Sequence, residues 1–72
     1  MTNETKTGIV THMNDSRNNT YLRLDDQGDY YFFNKANKLY RNLMCQSFRE
    51  KKVLTIEVGQ QLCISKMEIE LK

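Results

Sequence analysis

The hydrophobic repeat switches only once from the two-residue period of a strand to the three-and-four period of a helix, between Phe33 and Val53, and then switches back. Inside that window Ala36, Leu39, Tyr40, Leu43, Met44 and Phe48 recur at helical spacing. Asn34 stands where an N-cap residue is wanted, and the run ends near Arg49. A chain of 72 residues with one helix of this length must build the rest of its core from strands. That size holds one small domain, with a stability of roughly 4–10 kcal/mol.

The flanking segments read as strands. From Lys6 to Met13, Ile9, Val10 and Met13 sit among threonines, a β-favouring composition, with Gly8 placed for a coil or bulge. Asn14 to Asn19 is polar and turn-prone. Thr20 to Asp25 alternates strictly, so Leu22 and Leu24 face inward while Tyr21 and Arg23 face outward. Asp26-Gln27-Gly28-Asp29 predicts a tight hairpin with glycine at positive φ, leading into Tyr30 to Phe33 as strand three. After the helix, Val53 to Val58 alternates as strand four, Gly59-Gln60 turns, and strand five runs from Gln61. Within it Leu62 and Ile64 share one phase while Met67, Ile69 and Leu71 share the other. The slip falls around Ser65-Lys66, as a bulge in a bending barrel strand requires.

The order strand, strand, strand, helix, strand, strand, with a glycine in strand one and a slipped strand five, resembles the OB-fold. The resemblance is one of layout and covers about Lys6 to Leu71. It implies a mainly β architecture with one helix, a five-stranded antiparallel barrel over residues 6–72 following a flexible 1–5 segment. In size the chain is similar to bacterial translation initiation factor one and to cold-shock domains. It lacks the cold-shock aromatic motifs, and its helix is longer than that of the initiation factor. An open antiparallel sheet with the helix packed across one face uses the same elements and is the alternative.

Little in the chain suits catalysis. His12 is the only imidazole, and a lone histidine on a strand is far more often a surface residue than a catalyst. Asp25, Asp26 and Asp29 are turn carboxylates, short of the ligand set a hard cation needs. Cys45 and Cys63, 18 residues apart with no second ligand pair, predict free thiols. The expectation is a binding protein that is no enzyme and holds no metal or cofactor. The polar start MTNETKTG and the short apolar run Tyr30 to Phe33 predict a cytoplasmic chain without a membrane span.

Charge is unevenly placed. Residues 34–52 carry six cations against Glu50, a local excess of +5, whereas 1–33 sum to −2 and 53–72 to −1. On the helix Lys38, Arg41, Cys45 and Arg49 fall together opposite the expected apolar stripe, a basic ribbon suited to an anionic partner. Aromatics are in excess on strands two and three, because both phases of Tyr30-Tyr31-Phe32-Phe33 are rings and two must lie on the outer face. By the OB resemblance that face binds single-stranded DNA or RNA, rings stacking on bases and cations meeting phosphate. The implied platform is Tyr21, Arg23, Tyr31 and Phe33, with Lys6, His12 and Arg17 as phosphate contacts. If strand three has the opposite phase, Tyr30 and Phe32 replace Tyr31 and Phe33. The competing expectation is a protein-interaction or assembly module, a homo-oligomer included, without nucleic-acid binding.

Overall fold

The computed structural model describes residues 3–71. The elements are β1 Glu4–Gly8, β2 Val10–Asp15, β3 Asn19–Leu24, β4 Gln27–Asn34, α1 Lys38–Glu50, β5 Leu54–Val58, a short 3-10 turn Gln60–Leu62, and β6 Ile64–Ile69. Of the expected flexible segment, residues 1 and 2 lie outside the described residues, as does 72. Glu4 already pairs with Val58, and Asn3 Nδ2 donates to Ser65 Oγ at 3.1 Å. The chain is mainly β with one helix, as its periodicity predicts.

The strands form two three-stranded antiparallel sheets, β1-β5-β6 and β2-β3-β4. Among the described residues the closed five-stranded barrel expected from the sequence is not formed. Between the far edges of the two sheets the described residues show a single parallel bridge, Phe32 to Cys63. The expected first strand, Lys6 to Met13, is divided at Ile9 into β1 and β2, one in each sheet.

The division has a local cause. Asp25 Oδ1 accepts the Ile9 N–H at 2.9 Å, and the Asp25 N–H donates to the Ile9 carbonyl at 2.8 Å. A Cβ on Gly8 would stand 2.6 Å from Asp25 Oδ2, so only glycine lets the carboxylate come this close. The turn after β3 is therefore also the clamp on the bend before β2. That turn is Asp25-Asp26, both at positive φ (53° and 56°) as a two-residue hairpin of type I′ requires. It replaces the expected turn at Asp26 to Asp29, and Gly28, at φ 74°, lies in a register shift of the β3–β4 pair. The slip predicted in the last strand is present, Glu57 facing Lys66 and Val58 facing Ile64 across a bulge at Ser65.

Leu22 and Leu24 of β3, Tyr31 and Phe33 of β4, Leu54, Ile56 and Val58 of β5, and Ile64 and Met67 of β6 fill the space between the sheets. The helix caps this core at a different angle from the one its apolar repeat predicts. Asn37, not Asn34, is the N-cap, its Oδ1 accepting from the Tyr40 N–H at 3.1 Å. Met44 and Ser47 are buried while Leu39 and Phe48 are 64% and 44% exposed. Cys45, expected opposite the apolar stripe, packs against the core.

Ser47 explains the rotation. Its Oγ accepts the buried Val10 N–H at 3.1 Å, at the start of β2, and donates to the Lys52 carbonyl at 2.7 Å just beyond the helix. Ser47→Ala orphans both partners and is expected to destabilise the fold by about 1–3 kcal/mol, read as a lower urea midpoint at unchanged slope. A valine at this position should do no better, because the missing groups are polar.

Candidate nucleic-acid interface

The outer face of β2-β3-β4 follows from the register. Tyr21 stands opposite Phe32 on β4 and Asn14 on β2, and Arg23 stands opposite His12. Leu22, between them, points inward and is fully buried. The four-ring run of β4 has the phase that puts Tyr31 (7% exposed) and Phe33 (2%) in the core. These two implied platform residues are thus corrected to Tyr30 and Phe32. Phe33 is inside because it meets Tyr40 of the helix edge-on, ring centroids 5.7 Å apart at 83°.

The corrected face is continuous. Tyr21 and Phe32 lie 5.5 Å apart at a tilt of 37°, and His12 meets Tyr30 edge-on at 6.4 Å. The Arg23 guanidinium sits over the Tyr30 ring at 5.5 Å, a cation–π contact. Arg23 Nε is buried and has no hydrogen-bond partner among the described residues. Tyr30 is 40% exposed, and Tyr21, Arg23 and Phe32 are half-buried.

This face has a positive and a negative end. Next to Asn34 and Asn19, Lys35 Nζ donates to the Ser16 carbonyl at 3.2 Å, which holds its ammonium beside Arg17. Arg17, Asn18, Asn34, Lys35 and Ala36 line an open groove of about 410 Å³ there. Lys35 precedes the helix, which starts at Lys38, and belongs to this loop cluster. At the other end stands Asp26, whose Oδ1 is 3.7 Å from His12 Nδ1 and 4.0 Å from Arg23 Nη1.

Two other candidate groups lie elsewhere. Lys6 is on the other sheet beside Glu4 at 3.5 Å, in a groove with Leu24, Gln27, Gly28 and Tyr31, away from the outer rings. On the helix, Lys38 and Arg49 are exposed, but Arg41 is engaged. Its Nη1 and Nη2 donate to the two Asp15 oxygens at 3.0 Å each, and Nη1 also reaches Thr20 Oγ1 at 3.3 Å. The basic ribbon therefore loses its middle member to an intramolecular fork.

That fork holds the Asp15 carboxyl well below its ordinary 3.8, at about 2, through the Arg41 hydrogen bonds first and the Thr20 hydroxyl second. Because the folded value is depressed, the stabilising contribution is whole above the ordinary carboxyl value and is lost as pH falls through about 2. An NMR titration of Asp15 should show this midpoint in the wild type. Arg41→Ala should move it up toward 3.8.

Among the described residues no grouping of His, Cys, Asp and Glu is suited to a metal ion, and no helix is long and apolar enough to cross a membrane. Comparison with protein-family models, with curated proteins and with solved structures finds no match.

Sequence reasoning missed Ser47 and the Asp25 clamp, because both act through contacts distant along the chain. The ring phase had one readable signal. Continuing the inward phase of Leu22 and Leu24 across the hairpin selects Tyr31 and Phe33, whether the turn is placed at Asp25-Asp26 or at Asp26 to Asp29.

Proposed function

We propose that this chain is a small OB-like module, two antiparallel sheets joined through a bent first strand, that binds single-stranded nucleic acid weakly and with broad sequence tolerance. The observation that carries the reading is the continuous outer face of Tyr21, Phe32, Tyr30, Arg23 and His12, in which rings and a guanidinium lie side by side and stay accessible. Bases of any sequence stack on such a surface, each contributing about 1–3 kcal/mol. Arg17 and Lys35 supply positive charge at one end for phosphate. Support for the OB-like layout comes from the element order, from a first strand bent so that its halves join different sheets, and from the parallel Phe32–Cys63 bridge between the outer edges.

The test is fluorescence anisotropy of labelled single-stranded DNA and RNA at low and physiological salt, with a duplex control. Binding that prefers single strands and weakens with salt, with a slope of about −0.7 per phosphate neutralised, is the expected result. No binding at low salt, where electrostatic attraction is strongest, would overturn the reading.

A second reading, a protein-interaction module, is favoured by a different surface. Phe48 is 44% exposed and lines a groove with Ile9, Val10, Thr11 and Asp25, whose carboxylate is engaged by the Ile9 N–H, and the groove is rimmed by Arg49 and Lys51. Charge complementarity there suits an acidic segment carrying an apolar side chain. Phe48→Ala separates the two readings, since it removes this surface and leaves the outer face of β2-β3-β4 intact.

A further inference from the structure

Asp25 and Asp26 are neighbours in one turn with opposite fates. The Asp25 carboxylate is spent on the Ile9 N–H and wedged against Gly8. The Asp26 carboxylate accepts no hydrogen bond among the described residues, its contacts with His12 and Arg23 at 3.7 and 4.0 Å being too long. It is nevertheless held in place. Its backbone N–H donates to Thr11 Oγ1 at 2.8 Å, and the Thr11 hydroxyl donates to the Arg23 carbonyl at 3.4 Å. The turn is thereby pinned to both neighbouring strands, and two open acceptor oxygens stand beside the guanidinium that covers Tyr30.

Electrostatics decides what part of a bound strand this end can receive. With Asp25 and Asp26 adjacent in the turn, phosphate is less favoured here than beside Arg17 and Lys35 at the far end. A base lying on the Arg23–Tyr30 surface therefore turns an edge, and not its backbone, toward Asp26. An ionised carboxylate only accepts hydrogen bonds. Guanine offers it two adjacent donors on its Watson–Crick edge, the N1–H and the 2-amino group, matched to the two oxygens in parallel. Cytosine and adenine offer a single amino group, and uracil or thymine an N–H flanked by two carbonyls that the carboxylate repels. We infer that Asp26 is a specificity-determining residue that selects guanine at one position of an otherwise sequence-tolerant site. This rests on the nucleic-acid reading above, and it gives the acidic turn beside the ring surface a role.

The experiment uses a labelled short oligouridylate, either plain or with one central guanosine, inosine or adenosine, titrated against wild type and Asp26→Asn. Asparagine keeps the left-handed backbone the turn needs, so the variant folds. In the wild type the guanosine oligonucleotide should bind roughly 5-fold or more tighter than plain oligouridylate, with inosine, which lacks the 2-amino group, in between. In Asp26→Asn that ratio should collapse toward one while plain oligouridylate binds as well or better. Equal wild-type affinities, or a guanosine preference that survives in the variant, would overturn the inference and leave the stacking surface standing. Absence of binding to every oligonucleotide at low salt would overturn both.

Discussion

Phe33→Ala is expected to lower the free energy of unfolding by about 3–5 kcal/mol, the range for deleting a buried ring. Against a total of roughly 4–10 kcal/mol for a domain of this size, that leaves the variant partly or largely unfolded at room temperature. Phe33 is 2% exposed, and its ring fills the junction between β4 and Tyr40 of the helix. Its neighbour provides the control. Phe32→Ala removes a half-buried ring whose aromatic neighbour is Tyr21 on the outer face, and it should cost clearly less than Phe33→Ala. Urea titrations followed by circular dichroism rank the two. A larger loss for Phe32 than for Phe33 would mean that β4 has the opposite phase, and the outer face would then have to be rebuilt around Tyr31.

The same pair of residues shows where local sequence information stops. Leu22 and Leu24 alternate with Tyr21 and Arg23, so the phase of β3 is written in the chain, as is that of β5 through Leu54, Ile56 and Val58. The slip at Ser65 is legible for the same reason, because apolar residues change parity across it. In Tyr30 to Phe33 every position is a ring and the run itself carries no parity, which comes from the hairpin register with Leu22 and Leu24 and from the seat of Phe33 against Tyr40. The helix was locatable but its angle was not. Hydrophobicity alone ranks Leu39 and Phe48 above Ser47, yet the serine is buried because two backbone groups 5 and 37 residues away need it. The division of the first strand was foreshadowed by Gly8 but caused by Asp25, a contact that no local pattern encodes.

Tyr21→Ala combined with Phe32→Ala is expected to weaken single-stranded oligonucleotide binding by roughly 5- to 150-fold for each base that loses its stacking partner. The loss should be the same at every salt concentration, because the rings carry no charge and release no counterions. Arg17→Ala with Lys35→Ala should behave in the opposite way, flattening the salt dependence by about 0.7 for each phosphate that is no longer neutralised while leaving affinity at high salt nearly unchanged. Lys38→Ala with Arg49→Ala should alter neither quantity, since the helix surface lies apart from the ring face and its central cation, Arg41, is already held by Asp15. The two kinds of loss are separable because the stacking rings lie on β3 and β4 while Arg17 and Lys35 lie in the loops just before β3 and just after β4. If the helix pair abolishes binding and the ring pair does not, the anionic ligand is gripped by the helix, and the accessible rings of β3 and β4 must serve a protein contact instead.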